Sequence, residues 1–142
     1  MKKLAIGMMV VCSLMAVSGA AWCGDNMNGT VTLAGLVWLK NPNCWGKMNW
    51  DSAVAKTQSL ASGQCDLTDN SKPGDWRLPT KEELGIIFPD RHRFKNFPGG
   101  NYWSSSTYGI YIWVMVMSEG VPGLYGGSKT KFNYVWPVRS VQ

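Results

Sequence analysis

The chain is poor in the residues that build catalytic and metal centres. It has one histidine, His92, and four cysteines, no two of them close together. A structural zinc site takes about four nitrogen or sulfur ligands at paired spacings, so no metal is expected. No serine stands in a nucleophile-elbow context, and no acidic pair has a supporting motif. The chain is therefore read as a non-enzyme without a cofactor. There is no internal repeat and no low-complexity tract. Past residue 20 no apolar run is long enough to span a bilayer, which needs roughly 20 residues.

The one long apolar stretch opens the chain. Lys2 and Lys3 precede an apolar run from Leu4 to Val17, and Ser18-Gly19-Ala20 supplies small residues for cleavage. This is the pattern of an export signal over residues 1–20, leaving a single domain over 21–142. A lipid anchor on Cys23 is disfavoured by the bulky Trp22 before it. Loss of Lys2 and Lys3 lowers the net charge from +5 to +3. That charge permits an acidic partner without demanding one, and no nucleic-acid partner is expected.

Export implies an oxidising compartment. Cys44 and Cys65 flank one predicted helix and are paired here. Cys23 is then odd, either free or joining two chains.

The pass along the chain reads 24–29 as a loop. Two strand pieces follow, Thr30 to Leu33 and Gly35 to Lys40. A helix begins at Asn49, its N-cap, and buries Trp50, Ala53, Val54, Thr57, Leu60 and Ala61, ending at Gly63. After a polar loop over 66–75, Thr80 and Glu83 spell a capping box. Leu84, Ile87 and Phe88 form that helix's buried stripe, and Pro89 stops it. Tyr102 to Ser106 and Ile110 to Met117 read as strands, the second covered on both faces. Residues 120–129 read as a turn-rich connection. Tyr134 to Val141 is the last strand, with Pro137 marking an edge or bulge. The class is α+β.

Gly35-Leu36-Val37-Trp38-Leu39-Lys40, Cys44, Cys65, Gly74-Asp75-Trp76-Arg77-Leu78-Pro79-Thr80, Tyr102-Trp103-Ser104-Ser105-Ser106 and Val135-Trp136-Pro137-Val138-Arg139 occur in that order. The series resembles the DUF1566 family, also called the Lcl C-terminal domain family, from about residue 30 to the C-terminus. The resemblance implies a C-type lectin-like fold, with two helices on a twisted antiparallel sheet and the chain ends brought together. It also implies an adhesin-like role, since the best-known relative binds sulfated polysaccharides as a trimer. That relative has a collagen-like stalk, which this chain lacks.

Several residue groups are candidates for binding. Arg91, Arg93 and Lys95 form the densest basic cluster, expected on an exposed loop, and Lys129 and Lys131 form a smaller one. Together they make a site for sulfate or carboxylate groups if they meet in space, or ordinary solvated charge if they do not. Tyr102-Trp103-Ser104-Ser105-Ser106 is a sugar-stacking platform or a buried strand, and the buried strand is favoured. Arg77 is a ligand contact or, by preference, a structural guanidinium satisfying loop carbonyls or Asp75. Asp66, Asp69, Asn70 and Asp75 have calcium-type oxygens, but not the spacing of a known loop.

The expected function is an extracytoplasmic binding module for sulfated or anionic glycans. The alternative is a structural or accessory subunit of a surface assembly, and homo-oligomers are compatible with either. Exported material should begin at Ala21 or Trp22 on N-terminal sequencing. A mature form that keeps Met1 would refute the signal.

Overall fold

The computed structural model describes residues 24–118, 120 and 122–142. The signal segment, its cleavage point and Cys23 lie outside the described residues. The first strands are β1 (Gly24–Asp25), β2 (Thr30–Leu33) and β3 (Leu36–Leu39). Then come β4 (Lys47–Met48), α1 (Trp50–Gln58), α2 (Lys81–Ile87) and a 3-10 turn over Phe88–Arg93. The chain ends with β5 (Asn101–Tyr108), β6 (Tyr111–Val116), β7 (Gly123–Gly127), β8 (Asn133–Tyr134) and β9 (Val138–Ser140). The class is α+β, as expected, but the strands form two sheets rather than one.

The first sheet has the order β1-β2-β3-β9 and the second β4-β8-β5-β6-β7. Every pair is antiparallel except β5 with β8. Pairing of β3 with β9 brings the two ends of the domain together. One core lies between the first sheet, α2 and the second sheet, and includes Trp38, Leu60, Trp76, Leu84, Ile87, Tyr102 and Trp136. A second core, with Ala53, Leu78, Trp103, Ile112, Val114 and Val135, lies under α1.

Local signals act as the sequence indicates at the helix starts. Asn49 accepts a hydrogen bond from the Ser52 N–H at 2.9 Å. Thr80 and Glu83 complete the capping box, with Glu83 N–H donating to the Thr80 hydroxyl at 3.2 Å. The ends differ from expectation. Helix α1 stops at Gln58 instead of running to Gly63, because the 71–74 stretch takes its backbone groups: the Gly74 N–H donates to the Gln58 carbonyl at 2.8 Å, and the Ser62 N–H to the Ser71 carbonyl at 3.0 Å. The chain then turns to bring Cys65 to Cys44, and the two form a disulfide with Cα atoms 5.7 Å apart. Closing this loop should stabilise the fold by about 3 kcal/mol in the chain-entropy picture. Pro89 ends the α-helix but not the turning chain, since it lies inside the 3-10 turn.

Three strand expectations are corrected. Gly24–Asp25 is not loop but pairs with β2. The turn-rich connection over 120–129 contains β7, paired along its length with β6. Glycine is depleted in strands, which hid β7 from a propensity reading. Its glycines are there for close approach: a Cβ on Gly127 would stand 2.7 Å from Cγ2 of Val114. The last strand is two strands in different sheets, and Pro137 lies at the crossing between them.

Arg139 of β9 ties the long 66–75 loop to the first sheet. Its Nη2 lies 3.1 Å from Oδ2 of Asp69, whose side chain is fully covered. Burial by itself would raise the Asp69 pKa. Hydrogen bonds from the Ser71 hydroxyl and N–H, and then the Arg139 guanidinium, outweigh it and hold the carboxyl below its ordinary value. The unfolded chain therefore takes up this proton at higher pH than the folded one. The stabilisation is fully present above the unfolded value, near ~3.9, and fades as pH falls through the lower folded value. Asp69→Asn should cost about 3 kcal/mol at neutral pH, since it leaves Arg139 buried without its charge partner. It should also flatten the acid limb of stability below about pH 4. Urea unfolding of both proteins across pH 2–7 measures the two effects, and an acid limb identical to the parent's would refute the assignment.

Candidate functional site

The basic cluster of the 3-10 turn does not stand free. Arg91 is only 7% exposed, which overturns its placement on an exposed loop. Its Nη1 donates to the Phe88 carbonyl at 2.8 Å, and its guanidinium lies over the Phe88 ring, 4.0 Å from the centroid. The reason is local: the turn stacks Arg91 three residues after Phe88, where it satisfies a carbonyl at the end of α2. Arg93 is exposed and pairs with Asp90 at 2.8 Å. Lys95 is exposed and faces Asp66 at 3.7 Å, in a cleft of about 290 Å³ that Lys40, Asn41 and Cys65 also line.

Lys129 belongs to a different neighbourhood. Its carbonyl accepts from the Trp50 N–H at 3.1 Å, and its ammonium lies 4.6 Å from the Trp50 ring centroid. Lys131 is exposed in the same turn, its N–H bonded to the Ser128 carbonyl. The two basic clusters predicted to form one site are thus anchored to different elements, one to the end of α2 and the other to the start of α1.

Around the start of α1 the structure assembles something the sequence reading missed. Lys47 of β4 lies over the Tyr134 ring at 5.1 Å, Lys56 of α1 over Trp45 at 5.9 Å, and Lys129 over Trp50. All three rings are half-buried, and Trp45, Met48, Trp50 and Val54 pack on the second core. The Trp50 indole N–H donates to the Ser104 carbonyl at 3.0 Å, which fixes the ring. Ammonium groups held over such rings keep their charge at the surface while their stems cover carbon. No sequence signal announces this arrangement: Lys47 comes opposite Tyr134 through the pairing of β4 with β8, two strands of two residues each.

Beside this face runs a groove of about 650 Å³. Trp50, Val54 and Gln58 of α1 line one wall, and Trp76 and Arg77 line the other. Arg77 is held by Glu83, through two contacts of 3.0 Å, and by the Leu78 carbonyl. Its expected partner Asp75 instead accepts from the Lys72 N–H. The Trp76 ring is buried, and its indole N–H has no partner among the described residues.

The remaining candidates resolve by burial and pairing. Tyr102, Trp103 and Ser104 are fully buried, so they form a core strand and not a stacking platform. Tyr102 donates its hydroxyl to the Pro98 carbonyl at 2.7 Å, and burial raises its pKa well above the ordinary tyrosine value. Of the calcium-type oxygens, Asp69 faces Arg139, Asp66 faces Lys95 and Asp75 caps a turn.

The family model for the Lcl C-terminal domain matches residues 29–139. The chain belongs to the Lcl C-terminal domain family. No curated protein matches it. The matched span takes in every element from β2 to the start of β9, so the groove and the ammonium–ring face both lie inside the Lcl C-terminal domain.

Arg91→Ser should lower stability by about 1–3 kcal/mol, because it removes a buried donor and leaves the Phe88 carbonyl unsatisfied. Lys95→Ser should change it by less than about 0.5 kcal/mol. Thermal unfolding of the two variants distinguishes the positions, and equal melting temperatures would contradict the burial of Arg91.

Proposed function

We propose that the chain is an exported binding module of the cell exterior, that its ligand is an anionic, sulfated polysaccharide, and that it binds without catalysis. Membership of the Lcl C-terminal domain family and the Cys44–Cys65 disulfide support an extracellular setting. Two helices on mostly antiparallel sheets, with β3 paired to β9, support a C-type lectin-like relationship.

The observation that carries the ligand class is the set of ammonium groups over half-buried rings, Lys129 on Trp50 above all. A sulfated sugar offers an anionic group to the ammonium and a carbon face to the ring beside it. The polar rim of the neighbouring groove, with Gln58, Arg77 and Ser105, adds hydrogen-bonding groups along a polymer's path. This shifts the site away from Arg91, Arg93 and Lys95 and keeps Lys129 and Lys131.

Binding to a heparin-like polysaccharide should weaken steeply with salt. Replacing Lys47, Lys56 and Lys129 together with Ser should weaken it roughly tenfold, at about 0.5 kcal/mol for each exposed contact. Calorimetry at two ionic strengths reads both effects. If the triple variant binds as the parent does, this face is not the site. If the parent binds nothing at low salt, the glycan reading fails.

A further inference from the structure

Strand β7 is the outer edge of the second sheet, and no described residue pairs with its free side. An open strand edge is a pairing template, and soluble proteins usually blunt it with lysine, proline or a bulge. None of these stands within Gly123–Gly127. Large side chains are exposed around it: Tyr108, Ile110 and Tyr111 at the end of the β5–β6 hairpin, and Leu124 and Tyr125 on β7 itself. Residues 107–117 and 122–128 carry no charged side chain.

We propose that two copies of this chain join by antiparallel pairing of their β7 edges, about a two-fold axis through Tyr125, so that the two second sheets run on as one. In that register Tyr125 faces its own mate, Gly123 faces the partner's Gly127, and Leu124 faces the partner's Gly126. Large side chains thus meet glycine or themselves. The space over Gly126 is taken by Tyr108 and Tyr111 of its own chain: a Cβ there would lie 3.3 Å from the Tyr111 Cβ and 3.5 Å from the Tyr108 ring. The incoming Leu124 therefore packs on the exposed outer sides of these two tyrosines.

Area and charge favour a second copy as the occupant. The exposed parts of the five side chains amount to on the order of 600 Å², and the β7 backbone adds to them, against ~800 Å² per partner in a stable interface. A two-fold contact sets each charge against its own copy, so in a processed chain of net charge +3 these uncharged strand segments, with Lys81 and Glu82 of α2 beside Leu124 at their border, are where self-association costs least. The proposal does not rest on the glycan reading.

Sedimentation velocity of the processed protein, with Cys23→Ser to remove a stray thiol, should show a dimer at micromolar concentration. Leu124→Lys should weaken it at least tenfold while the circular dichroism spectrum stays that of the parent. Tyr125→Cys should lock the dimer covalently under mild oxidation, whereas Gln58→Cys on α1 should not. The cysteine pair decides the matter even if Leu124→Lys fails to fold. A monomer at all concentrations overturns the proposal, and so does a dimer that Tyr125→Cys does not lock.

Discussion

The structure turns on the place where the chain passes from one sheet to the other at Trp136 and Pro137. Leu39 of β3 donates its N–H to the Pro137 carbonyl at 3.0 Å and accepts the Trp136 indole N–H at 3.0 Å. Both backbone groups of one residue are thus satisfied by two neighbours almost a hundred positions away. The indole meets Phe94 edge-on at 4.5 Å and Trp38 at 5.3 Å, with Phe97 and Tyr102 close by. Aromatic contacts of this kind add to the area they bury, and the buried N–H has its acceptor. Proline fits because the crossing belongs to neither ladder.

From that joint the order spreads to segments with little regular structure. Val138 exchanges two backbone hydrogen bonds with Arg77, at 2.9 and 3.0 Å. Arg139, one residue on, reaches Asp69 and lies over the Trp76 ring. The 66–78 stretch is therefore pinned to β9 at two places, and the disulfide at Cys65 holds its beginning. Trp76 and Arg77, one wall of the groove, are placed by this pinning rather than by any helix or strand of their own. Glu83 then links the wall to α2, since one carboxylate serves both the capping box and Arg77.

The cations divide by what lies beneath them. Arg91 and Arg139 are used internally, each on a carbonyl or carboxylate and each over a ring. Lys47, Lys56 and Lys129 also lie over rings, but they are exposed. The same pairing of charge and ring thus serves folding where the guanidinium is buried and leaves charge for a ligand where the ammonium is not. A count of basic residues along the chain does not separate the two uses.

What the sequence by itself determined lies within a few residues of its own signal. The Asn49 cap, the Thr80–Glu83 capping box, the buried stripe of α2 and the alternation in β6 are satisfied by neighbours three or four positions away, or by a period of two. The Cys44–Cys65 pair was legible because the two cysteines bracket one short helix in a chain with few others. The family was legible because its motifs recur in order. Tertiary structure alone decided the rest. Strand β7 forms by pairing along β6, and Val114 of β6 leaves room only for glycine at 127, a fact about another strand. Helix α1 ended before Leu60 because residues 71 and 74 bond to Ser62 and Gln58. Arg91 lost its exposure to the fold of its own turn, and Lys129 gained a ring because the end of the β7–β8 connection meets the start of α1. Apart from Arg91, whose partner Phe88 is three residues away, each of these depends on residues distant along the chain, and periodicity and propensity carry no information about which distant residue will be met.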